Sequence, residues 1–256
     1  MLETINLTKH FGGIKAVDEV SFKIPNGNER IIGLMGPNGA GKTTLINLLT
    51  GYLKPDKGKI YLEDRNIENT SPEERVTKGL VRTFQLVSVF EGLTVMENLA
   101  LTAYSSKQKN KRWNYDFFLN YPLNNEAVLT EVNDILDLFD LRPVRNKFVS
   151  ELSYGYKRIL EIAMAYTLKP KLLFLDEPFA GLSDIEIEKI LMILNDLIKE
   201  RKIQYLYIVD HKISWLKNFV QRLQVMFEGK IIADDKPENI IKDKKIVEIY
   251  WGSELR

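Results

Sequence analysis

Cysteine is absent from this sequence of 256 residues, and histidine occurs only twice. The lack of cysteine excludes disulfides and thiolate metal sites and fits a reducing compartment, which favours the cytoplasm. The N-terminal residues Met1 to Asn6 contain neither the basic segment nor the apolar segment of a signal peptide. An apolar run of about 18 residues, as a membrane-spanning helix needs, is also lacking. We therefore expect a chain that neither crosses a membrane nor is exported.

An excess of charge of either sign is absent too. Lysine and arginine together number 36, aspartate and glutamate 35, and the basic residues are scattered among the acidic ones. A protein that binds nucleic acid through its phosphates needs a broad basic surface, so we expect no nucleic-acid partner. The hydrophobic fraction of 45% is typical of a globular protein. This length favours one α/β unit with an inserted or appended lobe.

Apolar runs predict strands at both ends of the chain. The runs at 171–175 and 204–209 flank a predicted helix at 184–202, which is typical of a βαβ unit with buried parallel strands. Residues 2–35 are predicted to be rich in β-strands, and residues 222–233 to form a hairpin.

The middle of the chain, residues 87–167, is predicted to be a helical lobe. Thr94 and Glu97 have the spacing of a helix capping box. Apolar residues then recur every three or four positions, which predicts an amphipathic helix within 124–141. The residues of this apolar stripe are Val128, Val132, Ile135 and Phe139.

Residues 36–43 read G-P-N-G-A-G-K-T between a predicted strand and a predicted helix. In that context the glycines let backbone amides curl around a β-phosphate, and Lys42 reaches the terminal phosphates. Thr43 is expected to ligate Mg²⁺. The residues expected to contact ATP here are Gly36, Pro37, Asn38, Gly39, Ala40, Gly41, Lys42, Thr43 and Thr44. The alternative is a glycine-rich turn before an ordinary helix.

Two adjacent carboxylates, Asp176 and Glu177, follow the apolar run at 171–175. Ligands bind at the carboxyl ends of strands in open α/β sheets. Asp176 suits a magnesium ligand, directly or through water, and Glu177 suits a general base for the attacking water. Taken alone, a strand that ends in two surface acids is common.

Between these two elements lies Leu152-Ser153-Tyr154-Gly155-Tyr156, and the three segments together resemble the Walker A, signature and Walker B motifs of ABC ATPases. The resemblance implies a P-loop NTPase (RecA-like) α/β core, at 1–86 and 168–256, with an N-terminal antiparallel β subdomain. Residues 87–167 would be the inserted α-helical subdomain. It also implies that Ser153 and Gly155 complete the ATP site of a second subunit.

The signature departs from the familiar Leu-Ser-Gly-Gly-Gln at Tyr154 and Tyr156. Ser153 is a suitable N-cap for a helix that we expect to begin near Tyr156. A helix-capping serine with packing tyrosines is the alternative.

The resemblance assigns further positions. Gln85 matches the glutamine that contacts Mg²⁺ or water and joins core to lobe, and His211 matches the histidine that hydrogen-bonds the γ-phosphate. Phe11 matches the aromatic residue that stacks on adenine, with a core phenylalanine as the alternative. Ser183 stands where the family frequently has aspartate.

Finer details are similar to the ATP-binding subunits of branched-chain or related amino-acid uptake transporters, notably Phe11-Gly12-Gly13, 81–85, 91–98 and 248–250. This similarity implies ATP and Mg²⁺ as cofactors and a peripheral location on the cytoplasmic face of the membrane. Implied partners are a second ATPase subunit, identical or related, transmembrane permease subunits and, indirectly, a solute-binding protein.

Three rival functions stay open at this point. The first is lipopolysaccharide export, because a related group that powers it shares the segment at 177–181, so the cargo is not determined by these residues. The second is a soluble ABC ATPase that acts on DNA or ribosomes. The third is a nucleotide-binding module that does not hydrolyse ATP.

Overall fold

The computed structural model describes residues 1–25, 27–84, 87–107 and 122–251. Gln85, for which the sequence predicts a catalytic and metal-binding role, lies outside the described residues. Strands predominate at the start of the chain, and helices and strands alternate from residue 172 to residue 227.

The N-terminal sheet is antiparallel and has the strand order β2-β1-β4-β5. Its strands are β1 (Leu2–Phe11), β2 (Ile14–Ile24), β4 (Lys57–Leu62) and β5 (Arg65–Asn66). The first two strands are joined by a tight turn, which Gly12 permits because its φ of 59° lies in the left-handed region.

The second sheet has the order β10-β9-β3-β8-β7-β6. Its strands are β3 (Ile31–Met35), β6 (Leu80–Arg82), β7 (Leu172–Asp176), β8 (Tyr205–Val209), β9 (Arg222–Phe227) and β10 (Lys230–Asp235). Strands β6, β7, β8, β3 and β9 run parallel, and β10 pairs antiparallel with β9. The predicted C-terminal hairpin and the predicted parallel pair are confirmed. The sequence analysis did not predict β6, since three residues are too few for a detectable pattern.

The helices are bounded as follows: α1 (Lys42–Thr50), α2 (Pro72–Thr77), α3 (Val95–Lys107), α4 (Glu126–Leu138), α5 (Tyr154–Thr167), α6 (Asp184–Lys199), α7 (Ile213–Phe219), α8 (Pro237–Lys242) and α9 (Lys244–Trp251). Thr94 and Glu97 form the capping box predicted for α3. The predicted apolar stripe of α4 is buried. Among the described residues between α2 and β7, the elements are helical apart from β6. No helix in the described part of the chain combines the length and apolarity needed to span a bilayer.

Two apolar cores lie on opposite faces of the parallel sheet. Phe174 and Tyr207 pack with the antiparallel sheet and α1, whereas their neighbours Leu173 and Leu206 pack with α5 and α6. This alternation follows from the two-residue period of side chains along a strand. Because both faces are covered, the strands are fixed in register, and their carboxyl ends meet at one edge.

Candidate functional site

The ends of three strands bring the predicted phosphate loop and acids together. Leu34 of β3 pairs with Val209 of β8, which in turn pairs with Asp176 of β7. The chain leaves these strands two or fewer residues later, into Gly36, Glu177 and Asp210. The three exits therefore lie side by side at the same level of the sheet.

Glycines of the phosphate loop are required by nearby backbone. A Cβ atom on Gly36 would lie 2.2 Å from the Met226 carbonyl oxygen, and one on Gly41 would lie 2.0 Å from that of Ala16. Gly41 also has φ 102° and stands immediately before α1. The amides at the start of α1 have no intrahelical acceptors, so the loop presents donors and the positive end of a helix dipole to an anion.

Lys42 lies across this loop. Its Nζ donates to the carbonyls of Gly36 at 2.7 Å and Pro37 at 2.9 Å, and the side chain is mostly buried. Burial lowers the pKa of Lys42, while the negative charges of Glu177 and Asp176 oppose that effect. A cation is therefore held between the phosphate loop and the two acids.

Asp176 is 1% exposed and forms a buried ion pair with Arg82, whose Nη2 lies 3.1 Å from Asp176 Oδ2. Burial raises the pKa of Asp176, and the Arg82 guanidinium opposes this rise. Arg82 also donates a hydrogen bond to the side chain of Asn47 in α1. Its guanidinium carbon lies 4.8 Å from the centre of the Phe84 ring. The sequence analysis did not assign Arg82 a role, since its partner is 94 residues away. Its nearness to Gln85 in sequence was the available signal.

Glu177 has a backbone φ of 47°, in the left-handed region, although it is not glycine. Its N–H donates to the Val209 carbonyl at 2.7 Å, which fixes this conformation. Such strained residues persist only where the surroundings determine them, and they concentrate at functional sites. The structure thus holds the second acid in a defined position where β7 ends.

Asp210 fixes the segment that carries His211. Its carboxylate is fully buried and accepts from the N–H groups of Phe179 at 3.2 Å and Lys212 at 2.9 Å. Burial raises the pKa of Asp210, and these backbone hydrogen bonds oppose the rise. His211 is half exposed, with Nδ1 3.8 Å from Asp210 Oδ1. Sequence reasoning missed Asp210, which ties the residues after Glu177 to the predicted histidine.

The signature segment forms the beginning of α5. Ser153 caps this helix, and its Oγ accepts from the Tyr156 N–H at 3.4 Å. The predicted N-cap Ser153 is confirmed, and α5 begins directly after it at Tyr154, two residues before the expected start near Tyr156. The atoms that face Gly155 most closely belong to Glu186 of α6. Ser153 and Gly155 thus lie beside α6 and are not part of the phosphate loop.

A buried ion pair on α5 joins several of these segments, and sequence reasoning missed it. Arg158 Nη1 lies 2.8 Å from Glu161 Oε2 and 3.1 Å from the Phe84 carbonyl oxygen. Glu161 Oε1 accepts from the N–H groups of Phe84 at 3.2 Å and Ser88 at 3.4 Å. The pair therefore holds backbone on both sides of residues 85–86. The i, i+3 spacing of opposite charges on a helix was the available signal.

Phe11 is the last residue of β1 and is 48% exposed, so it is not a core residue. Lys9 Nζ lies 5.8 Å from the centre of its ring. Strand β2, which pairs with β1, places the carbonyl oxygen of Ala16 against Gly41. An exposed flat ring is thus available at the end of the hairpin that abuts the phosphate loop.

The donors near the loop suit magnesium. The Thr43 hydroxyl and the Asp176 carboxylate offer the oxygen ligands that this ion prefers, and Thr43 is exposed at the start of α1. Clusters of three or more histidine, cysteine or acidic residues are not found among the described residues. The donor set therefore fits an ion held by few protein groups together with phosphate oxygens and water.

Comparisons with known proteins agree with this geometry. The family model described as ABC transporter matches residues 17–180. The probable branched-chain amino acid transport ATP-binding protein LivG of Methanocaldococcus jannaschii is 36% identical over 256 residues, covering 98% of this chain and 97% of that protein. The corresponding high-affinity protein LivG of Escherichia coli K12 is 33% identical over 258 residues, covering 98% of both.

A solved structure supports the fold. The ADP conformation of an ATP-binding cassette of an ABC transporter is 34% identical, covers 98% of both chains and has a TM-score of 0.85. The predicted fold class, a P-loop NTPase core with its added β and helical parts, is thereby confirmed. The match of fold, motifs and full length leads to one assignment. This chain belongs to the ABC transporter family and is one of its ATP-hydrolysing subunits.

Proposed function

We propose that this subunit powers an importer for branched-chain or related amino acids, and that it binds ATP and Mg²⁺ between two subunits. The relatives named for branched-chain amino acid transport match it over nearly the full length, which supports this cargo class. The observation that carries the proposal is the meeting of the phosphate loop and Lys42, after β3, with Asp176 and Glu177, at the end of β7 on the other side of β8.

The phosphate loop holds the triphosphate. Backbone amides of 36–43 surround the β-phosphate, and Lys42 pairs with the terminal phosphates. Thr43 and Thr44, at the start of α1, also contact the nucleotide. Thr43, Asp176 and Gln85 would hold Mg²⁺, which would supply positive charge to the phosphate oxygens. Most of the rate enhancement then comes from positioning and from charges fixed in place before the reaction.

Water attacks the γ-phosphorus with help from three residues. Glu177 accepts a proton from this water as the new oxygen–phosphorus bond forms and the bond to the leaving ADP oxygen breaks. His211 donates a hydrogen bond to the γ-phosphate. Gln85 contacts the water or Mg²⁺ and links the core to the lobe.

A second subunit completes each site. Its Ser153 and Gly155 contact the γ-phosphate of the ATP held by the first subunit, while Phe11 of the first subunit stacks on adenine. The second subunit is a copy of this chain or a related ATPase. Closure moves the helical lobes, and hydrolysis reopens the pair.

Partner proteins convert this motion into transport. The permease subunits dock between core and lobe near residues 85–91, and a solute-binding protein delivers the amino acid to them. The ATPase subunit itself is peripheral, on the cytoplasmic face of the membrane. Isolation of the intact complex and amino-acid uptake into vesicles that contain it would test the cargo; lipopolysaccharide movement without amino-acid uptake would contradict it.

Substitution of Glu177 tests the hydrolytic site. Glu177→Gln retains the shape and hydrogen-bonding capacity of the side chain but removes the base, so ATP should bind without turnover. The variant is expected to accumulate as a closed pair in Mg-ATP, measured by sedimentation, and to release phosphate at least about 100-fold more slowly than the wild type. Wild-type phosphate release by Glu177→Gln would remove Glu177 as the base.

A further inference from the structure

The N-terminal end of α5 is held by a carboxylate from α6. A Cβ atom added to Gly155 would lie 2.2 Å from Glu186 Oε1, so this oxygen rests against the glycine backbone. Glu186 Oε2 accepts from the Ser183 N–H at 3.0 Å and from Ser183 Oγ at 2.8 Å. One carboxylate therefore joins the first turn of α5 to the cap of α6.

The amides in this contact are the ones that a phosphate bound at α5 would use. The first amides of a helix lack intrahelical acceptors, and the helix dipole attracts anions to them. Ser153 Oγ already accepts from the Tyr156 N–H, and Glu186 Oε1 lies against the Gly155 backbone. Side chains of the same subunit thus engage one donor of this turn and occupy the space beside another residue that an external anion would approach.

The two unusual tyrosines pack toward the same neighbour. A Cβ atom on Gly181, just before α6, would lie 3.4 Å from Tyr154 Cε1. Lys189 Nζ of α6 lies 5.0 Å from the centre of the Tyr156 ring. The first turn of α5 is therefore seated against α6 and the segment before it, which places Glu186 within reach of Gly155.

We propose that Glu186 is an internal anion at the phosphate-binding end of α5, and that it must leave Gly155 before the ATP of a second subunit can bind there. The inference rests on the proposed function, in which Ser153 and Gly155 meet that γ-phosphate. A carboxylate and a phosphate compete for the same amide, because each is an acceptor that carries negative charge. Glu186 thereby raises the ATP concentration at which the pair closes.

The charge of Glu186 supports this competition. Hydrogen bonds from the Ser183 N–H and hydroxyl, with a smaller contribution from the Gly155 N–H, lower the pKa of Glu186. The side chain is therefore an anion at neutral pH.

A pair of matched substitutions tests the inference. Glu186→Gln removes the charge but keeps the cap of α6, because glutamine also serves at this position of a capping box. Glu188→Gln makes the same charge change at an exposed position of the same helix. Both are introduced into the Glu177→Gln chain, and the Mg-ATP concentration for half-maximal association is measured by sedimentation. We expect that concentration to fall about threefold to tenfold for Glu186→Gln and to stay unchanged for Glu188→Gln.

Each outcome separates the inference from the function on which it rests. If Glu186→Gln needs as much ATP as Glu188→Gln, or more, the inference is wrong while the closed pair stands. If Glu177→Gln alone fails to associate in saturating Mg-ATP, the second subunit is not a copy of this chain, and the Gly155 resonance described next decides the inference. The amide resonance of Gly155 in glycine-labelled protein should also move in Glu186→Gln; an unmoved resonance would overturn the contact itself.

Discussion

The two ends of the proposed nucleotide site are built in different ways. At the phosphate loop, nearby backbone determines the residue type: the carbonyls of Met226 and Ala16 leave no room for a side chain at Gly36 or Gly41. At α5, long polar side chains make the contacts instead. Glu186 of α6 lies against Gly155 in the first turn of α5, and Arg158 and Glu161, further along the same helix, hydrogen-bond the backbone at Phe84.

This difference bears on what each end can do. A loop fixed by backbone contacts presents its amides to phosphate with little rearrangement, which suits tight binding of nucleotide. Hydrogen bonds from side chains can exchange partners, because only rotamers have to change. We infer that the α5 end is the adjustable half of the site, consistent with its proposed role in closing over a second subunit's ATP.

The largest expected effect is at Gly41. Gly41→Ala places a Cβ atom 2.0 Å from the Ala16 carbonyl oxygen, at a residue whose φ is 102°. Because the loop then has to shift, the affinity for Mg-ATP should fall by about 100-fold or more. Gly39→Ala is the matched control, because φ is also positive at 80° but nothing lies within 4 Å of its Cβ position. Fluorescent-nucleotide titration measures both. Equal losses in the two variants would show that backbone strain alone, without the close carbonyl, determines the loop.

A smaller effect, on stability, is expected at the α5 end. Arg158→Met leaves the Glu161 carboxylate buried without its cation, which should lower the free energy of unfolding by about 3–5 kcal/mol. Arg142→Met breaks the exposed ion pair with Asp137 and is the control. Urea unfolding followed by circular dichroism gives both values. If Arg158→Met unfolds at the same urea concentration as Arg142→Met, the pair does not hold this end.

The smallest expected effect is the pH dependence of the exposed pair. The hydrogen bond from Arg142 lowers the pKa of Asp137 below its ordinary value of 3.8. The folded state therefore binds a proton at Asp137 less readily than the unfolded state does. The ion pair stabilises the fold above the unfolded pKa of Asp137, and this stabilisation is lost as the pH falls through the pKa of the folded state. Urea midpoints of the wild type and Asp137→Asn should differ slightly at pH 6 and converge in acid. If the two urea midpoints instead move further apart as the pH falls, the pKa of Asp137 is not lowered in the folded state.

Sequence reasoning succeeded where structure depends on neighbours in the chain. The capping box of α3 and the hairpin predicted at 222–233 follow from residues within a few positions. The strand before the phosphate loop and the strand before Asp176 were also predicted, because continuous apolar runs are typical of buried parallel strands.

Contacts between distant residues could not be predicted in this way. Arg82 meets Asp176 across 94 positions, and Arg158 meets Phe84 across 74. Asp210 was passed over because a buried acid before a histidine has no local pattern; only the fold brings the Phe179 N–H to it. The start of α5 was predicted two residues late, since tyrosine and glycine after the cap are poor indicators of a helix.

The account depends most directly on Lys42 and the loop that it crosses. Calorimetric titration of the folded chain with ATP in the presence of magnesium should show uptake of one nucleotide per chain. Lys42→Met should bind at least about tenfold more weakly, because a charge-assisted contact with the phosphates is lost. Thermal unfolding of both proteins checks that the variant is folded. Absence of nucleotide uptake by the wild type, or equal affinity in a folded Lys42→Met chain, would contradict the account.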